Sequence, residues 1–110
     1  MNWLDICALD EINPLGSRVV AAPGGDIAIF RTASDEVFAL DDRCPHKGGP
    51  LSQGLVFGNT VACPLHNWQI DLASGAALAP DVGCAHRHLT RIEGGRVQLA
   101  LNSKEECSPS

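Results

Sequence analysis

The sequence has little positive charge and no long apolar run. Of its 110 residues, 8 are lysine or arginine and 13 are aspartate or glutamate, which gives a net charge of −5 at pH 7. A surface that binds nucleic acid or an anionic membrane needs clustered lysine and arginine, so this balance argues against both kinds of partner. No stretch approaches the roughly 20 apolar residues that span a bilayer, and the N-terminus lacks the pattern of a signal peptide. We therefore expect a cytoplasmic protein.

Helical periodicity and catalytic motifs are also missing. The chain has no Ser/His/Asp arrangement, P-loop or dinucleotide fingerprint, so catalysis by this chain alone is not indicated. Short apolar or alternating runs recur instead between turn residues, which is typical of β-strands. The predicted strands cover residues 3–8, 18–22, 27–32, 37–41, 60–62, 68–72, 88–93 and 96–101, with a further brief strand at 51–52 or 55–57. This pattern predicts a single all-β domain over residues 1–110, an antiparallel sandwich or barrel, with a frayed tail at 102–110.

Two short motifs carry the chemistry of the chain. Cys44-Pro45-His46 and Cys63-Pro64-Leu65-His66 each offer one thiolate and one imidazole, in loops predicted at about 43–50 and 63–68. Two cysteines and two histidines are the ligand set of a Rieske-type [2Fe–2S] centre, in which two histidines replace two cysteines on one iron. We therefore predict that Cys44, His46, Cys63 and His66 bind a [2Fe–2S] cluster, with the cysteines on the inner iron and the histidines on the outer iron. The expected chemistry is one-electron transfer, with no catalytic side chain.

A zinc site is the main alternative for these four residues. A tetrahedral Cys₂His₂ zinc site uses the same ligand types. In structural zinc sites, however, each short motif usually supplies two ligands of the same type, and C-x-H is an unusual zinc-binding motif. The [2Fe–2S] cluster is therefore favoured. The remaining cysteines, Cys7, Cys84 and Cys107, are odd in number and scattered, and in a reducing compartment they are expected to be free thiols.

Two charged segments lie outside the motifs. Asp41-Asp42-Arg43 is predicted to form a turn at the end of a strand. His86-Arg87-His88 is predicted to be a solvated strand end, with a docking patch as the alternative.

The segments Cys44–Gly54 and Cys63–Asp71 closely resemble the small subunit of assimilatory NAD(P)H-dependent nitrite reductase, a Rieske-like family. The resemblance covers roughly residues 3–101, and its most discriminating pieces are His66-Asn67-Trp68 and Asp81-Val82-Gly83-Cys84. It implies a Rieske-type fold with a cluster-binding subdomain. It also implies a large partner subunit with FAD, siroheme and further iron–sulfur centres, which reduces nitrite to ammonia. The alternatives are a Rieske ferredoxin of a ring-hydroxylating dioxygenase system and a structural accessory subunit without a redox role.

The residues around the motifs predict a low midpoint potential. High-potential members of the class carry an additional cysteine in each loop, which together form a disulfide, and a serine and a tyrosine near the second histidine. This chain has no such loop cysteines, and Trp68 and Ile70 occupy the second neighbourhood. With fewer hydrogen-bond donors to stabilise the reduced cluster, the potential is expected near the lower end of the range of roughly −150 to +300 mV. Redox titration would reject this expectation if the midpoint lay well above about 0 mV.

Overall fold

A computed structural model describes residues 3–22, 25–43, 50–63, 68–78 and 83–100. Of the four predicted ligands, Cys63 lies within these segments, whereas Cys44, His46 and His66 lie outside them. None of the described segments forms a helix long and apolar enough to cross a membrane.

The described residues form antiparallel β-strands, and the all-β prediction is confirmed. The strands are β1 (Trp3–Ala8), β2 (Ser17–Val20), β3 (Ile27–Arg31), β4 (Val37–Asp41), β5 (Leu55–Phe57), β6 (Thr60–Ala62), β7 (Gln69–Asp71), β8 (Arg87–His88), β9 (Thr90–Glu93) and β10 (Arg96–Ala100), with 3₁₀ turns at Leu9–Glu11 and Leu51–Gln53. They pair in the orders β1-β10-β9, β2-β3-β4-β8 and β5-β6-β7.

Of the two alternatives for the brief strand, Leu55–Phe57 is confirmed, whereas residues 51–52 belong to a 3₁₀ turn in which Leu51 is buried. One sequence prediction differs from this arrangement. The single strand predicted at 88–93 is broken at Leu89. Strand β8 pairs with β4, whereas β9 pairs with β10, so the chain passes from one sheet to another at this point.

Strand β3 lies at the centre of the fold. Its first four residues are all buried, which explains its continuous apolar sequence. Ile27 and Ile29 pack in one core together with residues of β1 and β10, whereas Ala28 and Phe30 pack in another core with residues of β5, β6 and β7. Since side chains alternate across a strand, one strand supplies both cores. The middle sheet is thereby packed between the other two.

The small sheet β5-β6-β7 carries the second ligand motif. Val56, Val61 and Ile70 lie opposite one another across its three strands, and all three are buried. They pack with Phe30 and Leu40 of the middle sheet. The packing of these three side chains fixes the register of β6 against β7, and therefore the position of Cys63 after the end of β6.

Gly75 provides a test of the packing behind this sheet. It has φ +79°, and a Cβ there would overlap the carbonyl oxygen of Ala85. We expect Gly75→Ala to lower the free energy of unfolding by at least about 2 kcal/mol, because the left-handed backbone and the clash both add to the cost. Gly94→Ala is the matched control, since Gly94 has φ +58° and no atom within 4 Å of its added Cβ. Urea unfolding would contradict this account if the two substitutions cost the same.

Candidate metal centre

Cys63 is positioned by the hairpin of β6 and β7. Its backbone N–H donates to the carbonyl oxygen of Trp68 at 2.6 Å, which extends the pairing by one step beyond Ala62 and Gln69. His66 lies between these two paired positions in the sequence, outside the described residues. Cys63 is only 1% exposed and is not in a disulfide. The strand end thus delivers a buried thiol, as a ligand of the inner iron requires.

The ends of the first ligand loop are joined by a carboxylate. The Oδ1 atom of Asp42 accepts from the backbone N–H of Ser52 at 2.7 Å, and its Oδ2 atom accepts from the Ser52 hydroxyl at 2.8 Å. Asp42 directly precedes the predicted loop at 43–50, and Ser52 follows it. Cys44 and His46 lie outside the described residues, in the part of the sequence between Asp42 and Ser52.

The exit of the first loop lies against the strand that leads to Cys63. A Cβ on Gly54 would overlap the carbonyl oxygen of Ala62 and approach Cγ2 of Val61 to 2.9 Å. Leu51 and Cys63 also belong to the same buried cluster. The structure therefore brings the residues that follow the first loop into close contact with those that lead to Cys63.

These surroundings fit a Rieske-type cluster. Two ferric ions, two sulfides and two thiolates sum to zero charge when both histidines are neutral, and a neutral group is the kind that a buried position tolerates. Among the described residues, no group of three or more His, Cys, Asp or Glu side chains could hold a metal ion. Cys44, His46 and His66 lie outside those residues.

A histidine–carboxylate pair joins β4 to β8 upstream of the first loop. His88 Nε2 lies 2.7 Å from Asp41 Oδ1, and His86 Nδ1 lies 3.8 Å from Asp41 Oδ2. Because a carboxylate only accepts, Nε2 carries the proton of this bond. His88 is 7% exposed, so the prediction of a solvated strand end was wrong for this residue. The bond fixes the end of β4, from which the chain enters the first loop.

The other described cysteines differ from one another. Cys7 is 2% exposed and free, as expected, and burial raises the pKa of its thiol. It packs with Ile12, Ile29 and Val97 in the core on the opposite side of β3 from Cys63. Cys84 takes part in a disulfide, whose partner lies outside the described residues, so the expectation of a free thiol was wrong there. Cys107 also lies outside the described residues.

The Asp42–Ser52 pair was missed by sequence reasoning, which placed Asp42 in an ordinary turn. The available signal was positional: a carboxylate lies two residues before the first ligand cysteine, and a serine follows the Gly-Gly-Pro of the same loop.

Comparison with known families agrees with this geometry. The model of the Rieske [2Fe-2S] domain matches residues 2–86. The chain belongs to the Rieske [2Fe–2S] family. The predicted cofactor class is thereby confirmed, and the chain is a Rieske electron-transfer domain.

Relatives of this Rieske domain occur in several redox systems. It is 40% identical to the 3-phenylpropionate/cinnamic acid dioxygenase ferredoxin subunit of Photorhabdus laumondii, over 96% of this chain and 100% of that protein. It is 52% identical to 4beta-methylsterol monooxygenase of Methylococcus capsulatus over 64% of this chain, but spans only 19% of that protein.

Solved structures share the fold of the Rieske domain. A chain in the complex of reduced oxygenase and oxidized ferredoxin of carbazole 1,9a-dioxygenase matches with a TM-score of 0.83 and 26% identity, over 94% of this chain and 97% of that chain. A protein assigned as the small subunit of an NADPH nitrite reductase matches with a TM-score of 0.80 and 25% identity, over 91% and 99% of the two chains.

The separation of Cys7 from Cys63 predicts different outcomes for their substitution. Cys7→Ser should keep the iron content and visible spectrum of the Rieske domain while lowering the free energy of unfolding by about 1–3 kcal/mol, because a hydroxyl replaces a buried thiol. Cys63→Ser is the comparison, and should lose the cluster. Iron analysis of the folded proteins measures both. Loss of iron from folded Cys7→Ser would show that the cysteines are wrongly assigned.

Proposed function

We propose that this protein is the Rieske ferredoxin of an oxygenase system, passing single electrons from a reductase to an oxygenase component. The observation that carries the proposal is the relationship to the dioxygenase ferredoxin subunit of Photorhabdus laumondii, which extends over 96% of this chain and the whole of that protein. A match that spans the whole of that relative supports the same role, because no part of the relative is left without a counterpart in this chain. In this proposal residues 1–110 form one domain, which works in the cytoplasm.

The proposed cluster ligands are Cys44 and Cys63 on one iron and His46 and His66 on the other. When bound, the cluster supplies a site that accepts and releases one electron. The protein's part is to orient the ligands and to exclude water. Buried Cys63 at the end of β6 supports the assignment of the cysteines to the inner iron.

A role as the small subunit of nitrite reductase is the second candidate. It is supported by the structural match to a protein assigned to that enzyme, and by the resemblance at His66-Asn67-Trp68 and Asp81-Val82-Gly83-Cys84. The partner would then be the large subunit with FAD, siroheme and further iron–sulfur centres. Both candidates use the same ligands and the same one-electron chemistry, so they differ in the protein that accepts the electron.

Stopped-flow oxidation of the reduced protein separates these candidates. The protein is reduced, freed of excess reductant, and mixed with either the oxidised oxygenase component or the siroheme flavoprotein from the same source organism. We expect the oxygenase to reoxidise the cluster at a rate that saturates with oxygenase concentration, because transfer follows formation of a specific complex.

Cys63→Ser, which should lack the cluster, gives the absorbance baseline, and ferricyanide confirms that the reduced protein can release its electron. Saturable oxidation by the siroheme protein alone would support the second candidate and contradict the first. Oxidation by neither partner, with ferricyanide still active, would contradict both.

A further inference from the structure

The Asp42–Ser52 pair differs from a simple turn in the length of chain that it closes. Its two hydrogen bonds join residues ten positions apart, and the intervening segment contains Cys44 and His46. Both side chains are half-buried, so water competes with these bonds less than it would at an exposed turn. Bonds from backbone N–H and hydroxyl to an ionised carboxylate are also stronger than bonds between neutral groups.

Both members of the pair are anchored to the middle sheet or the loop beside it. The backbone N–H of Asp42 donates to the carbonyl oxygen of Asp26 at 2.9 Å. The carbonyl oxygen of Ser52 accepts from the hydroxyl of Ser17 on β2 at 2.7 Å. Leu51, next to Ser52, is fully buried in the core shared with Cys63. The pair therefore connects fixed points and sets the separation of the loop's two ends.

We propose that Asp42 is a positioning residue for the cluster, whose carboxylate holds the first loop closed so that Cys44 and His46 stay in place as ligands. The proposal rests on the ligand assignment made above. The physical reason is that closing a flexible loop costs conformational entropy, and a closure already made in the folded protein removes that cost from cluster binding. Without the carboxylate, the two ligands of this loop should separate more often from the cluster.

A second carboxylate–serine pair in the chain offers a matched control. Asp71 Oδ2 accepts from the backbone N–H of Ser74 at 3.2 Å and from its hydroxyl at 2.7 Å. This pair has the same donor and acceptor types, but it is exposed and closes a three-residue turn at the end of β7, outside both ligand loops. Asp71→Ala therefore removes the same types of hydrogen bond without opening a ligand loop.

The test compares cluster release from purified holoprotein variants in excess iron chelator, followed by visible absorbance. Asp42→Ala removes both hydrogen bonds to Ser52 and should release the cluster at least about tenfold faster than wild type. Asp42→Asn should restore most of the wild-type rate, because its amide can still accept from the Ser52 N–H and donate to the hydroxyl. Ser52→Ala, which loses only the hydrogen bond of the hydroxyl, should release the cluster at an intermediate rate. It replaces Asp42→Ala in this test if that variant does not fold.

Two further measurements separate positioning from general stability. The free energy of unfolding should fall in both Asp42→Ala and Asp71→Ala. The EPR line shape of the reduced cluster should change in Asp42→Ala alone, because only that substitution frees ligands.

Wild-type release and EPR line shape in Asp42→Ala would overturn the proposal, as would equally fast release from Asp71→Ala. Absence of histidine nitrogen couplings from the pulsed EPR spectrum of the wild-type reduced cluster would overturn the ligand assignment itself. Failure of the Asp42 proposal and failure of the ligand assignment are therefore distinguishable.

Discussion

The burial of β3 on both faces is the constraint on which the rest of the structure depends. Ile27 and Ile29 face the core shared with β1 and β10, and Ala28 and Phe30 face the core beneath β5, β6 and β7. If this strand shifted its register by one residue, the side chains that face one core would face the other, so both cores would be disrupted. It therefore fixes the small sheet relative to the middle sheet. That relation places the end of β6, with Cys63, beside the exit of the loop that follows β4.

The metal centre is built from two different kinds of local structure. The second motif belongs to a hairpin, whose register is set by the row of Val56, Val61 and Ile70 and by the bond between Cys63 and Trp68. The first motif has no comparable strand pair among the described residues, and its ends depend on Asp42, Ser52 and the buried Leu51. The described end of the second motif is thus held by sheet hydrogen bonds, whereas the described ends of the first motif depend on a side chain. This difference is why a single carboxylate is expected to matter at one loop and not at the other.

Local pattern predicted most of the strands, but not the change of partner between β8 and β9. Alternation and turn residues placed Trp3–Ala8, Val37–Asp41 and Thr60–Ala62 at the bounds that the structure has. The break at Leu89 was not predictable, because it arises from a change of partner sheet and leaves no mark in local propensity. The burial of His88 was missed for a similar reason, since its partner, Asp41, lies 47 residues earlier in the chain. The ligand motifs were recognisable from sequence because two Cys/His pairs in similar proline-containing contexts supply the ligand set of a Rieske centre. The family match to residues 2–86 confirms the cofactor class. The choice of electron acceptor depends on surfaces rather than ligands, and no short motif encodes it.

Pulsed EPR of the reduced protein with selectively ¹⁵N-labelled histidine tests the central claim most directly. The account predicts two strongly coupled nitrogens that change from ¹⁴N to ¹⁵N couplings when only histidine is labelled, because two of the four ligands are imidazoles. Substitution of His88, which binds Asp41 and not the cluster in this account, should leave both couplings in place. A reduced cluster whose nitrogen couplings are absent, or do not respond to histidine labelling, would contradict the mixed ligation by Cys44, His46, Cys63 and His66.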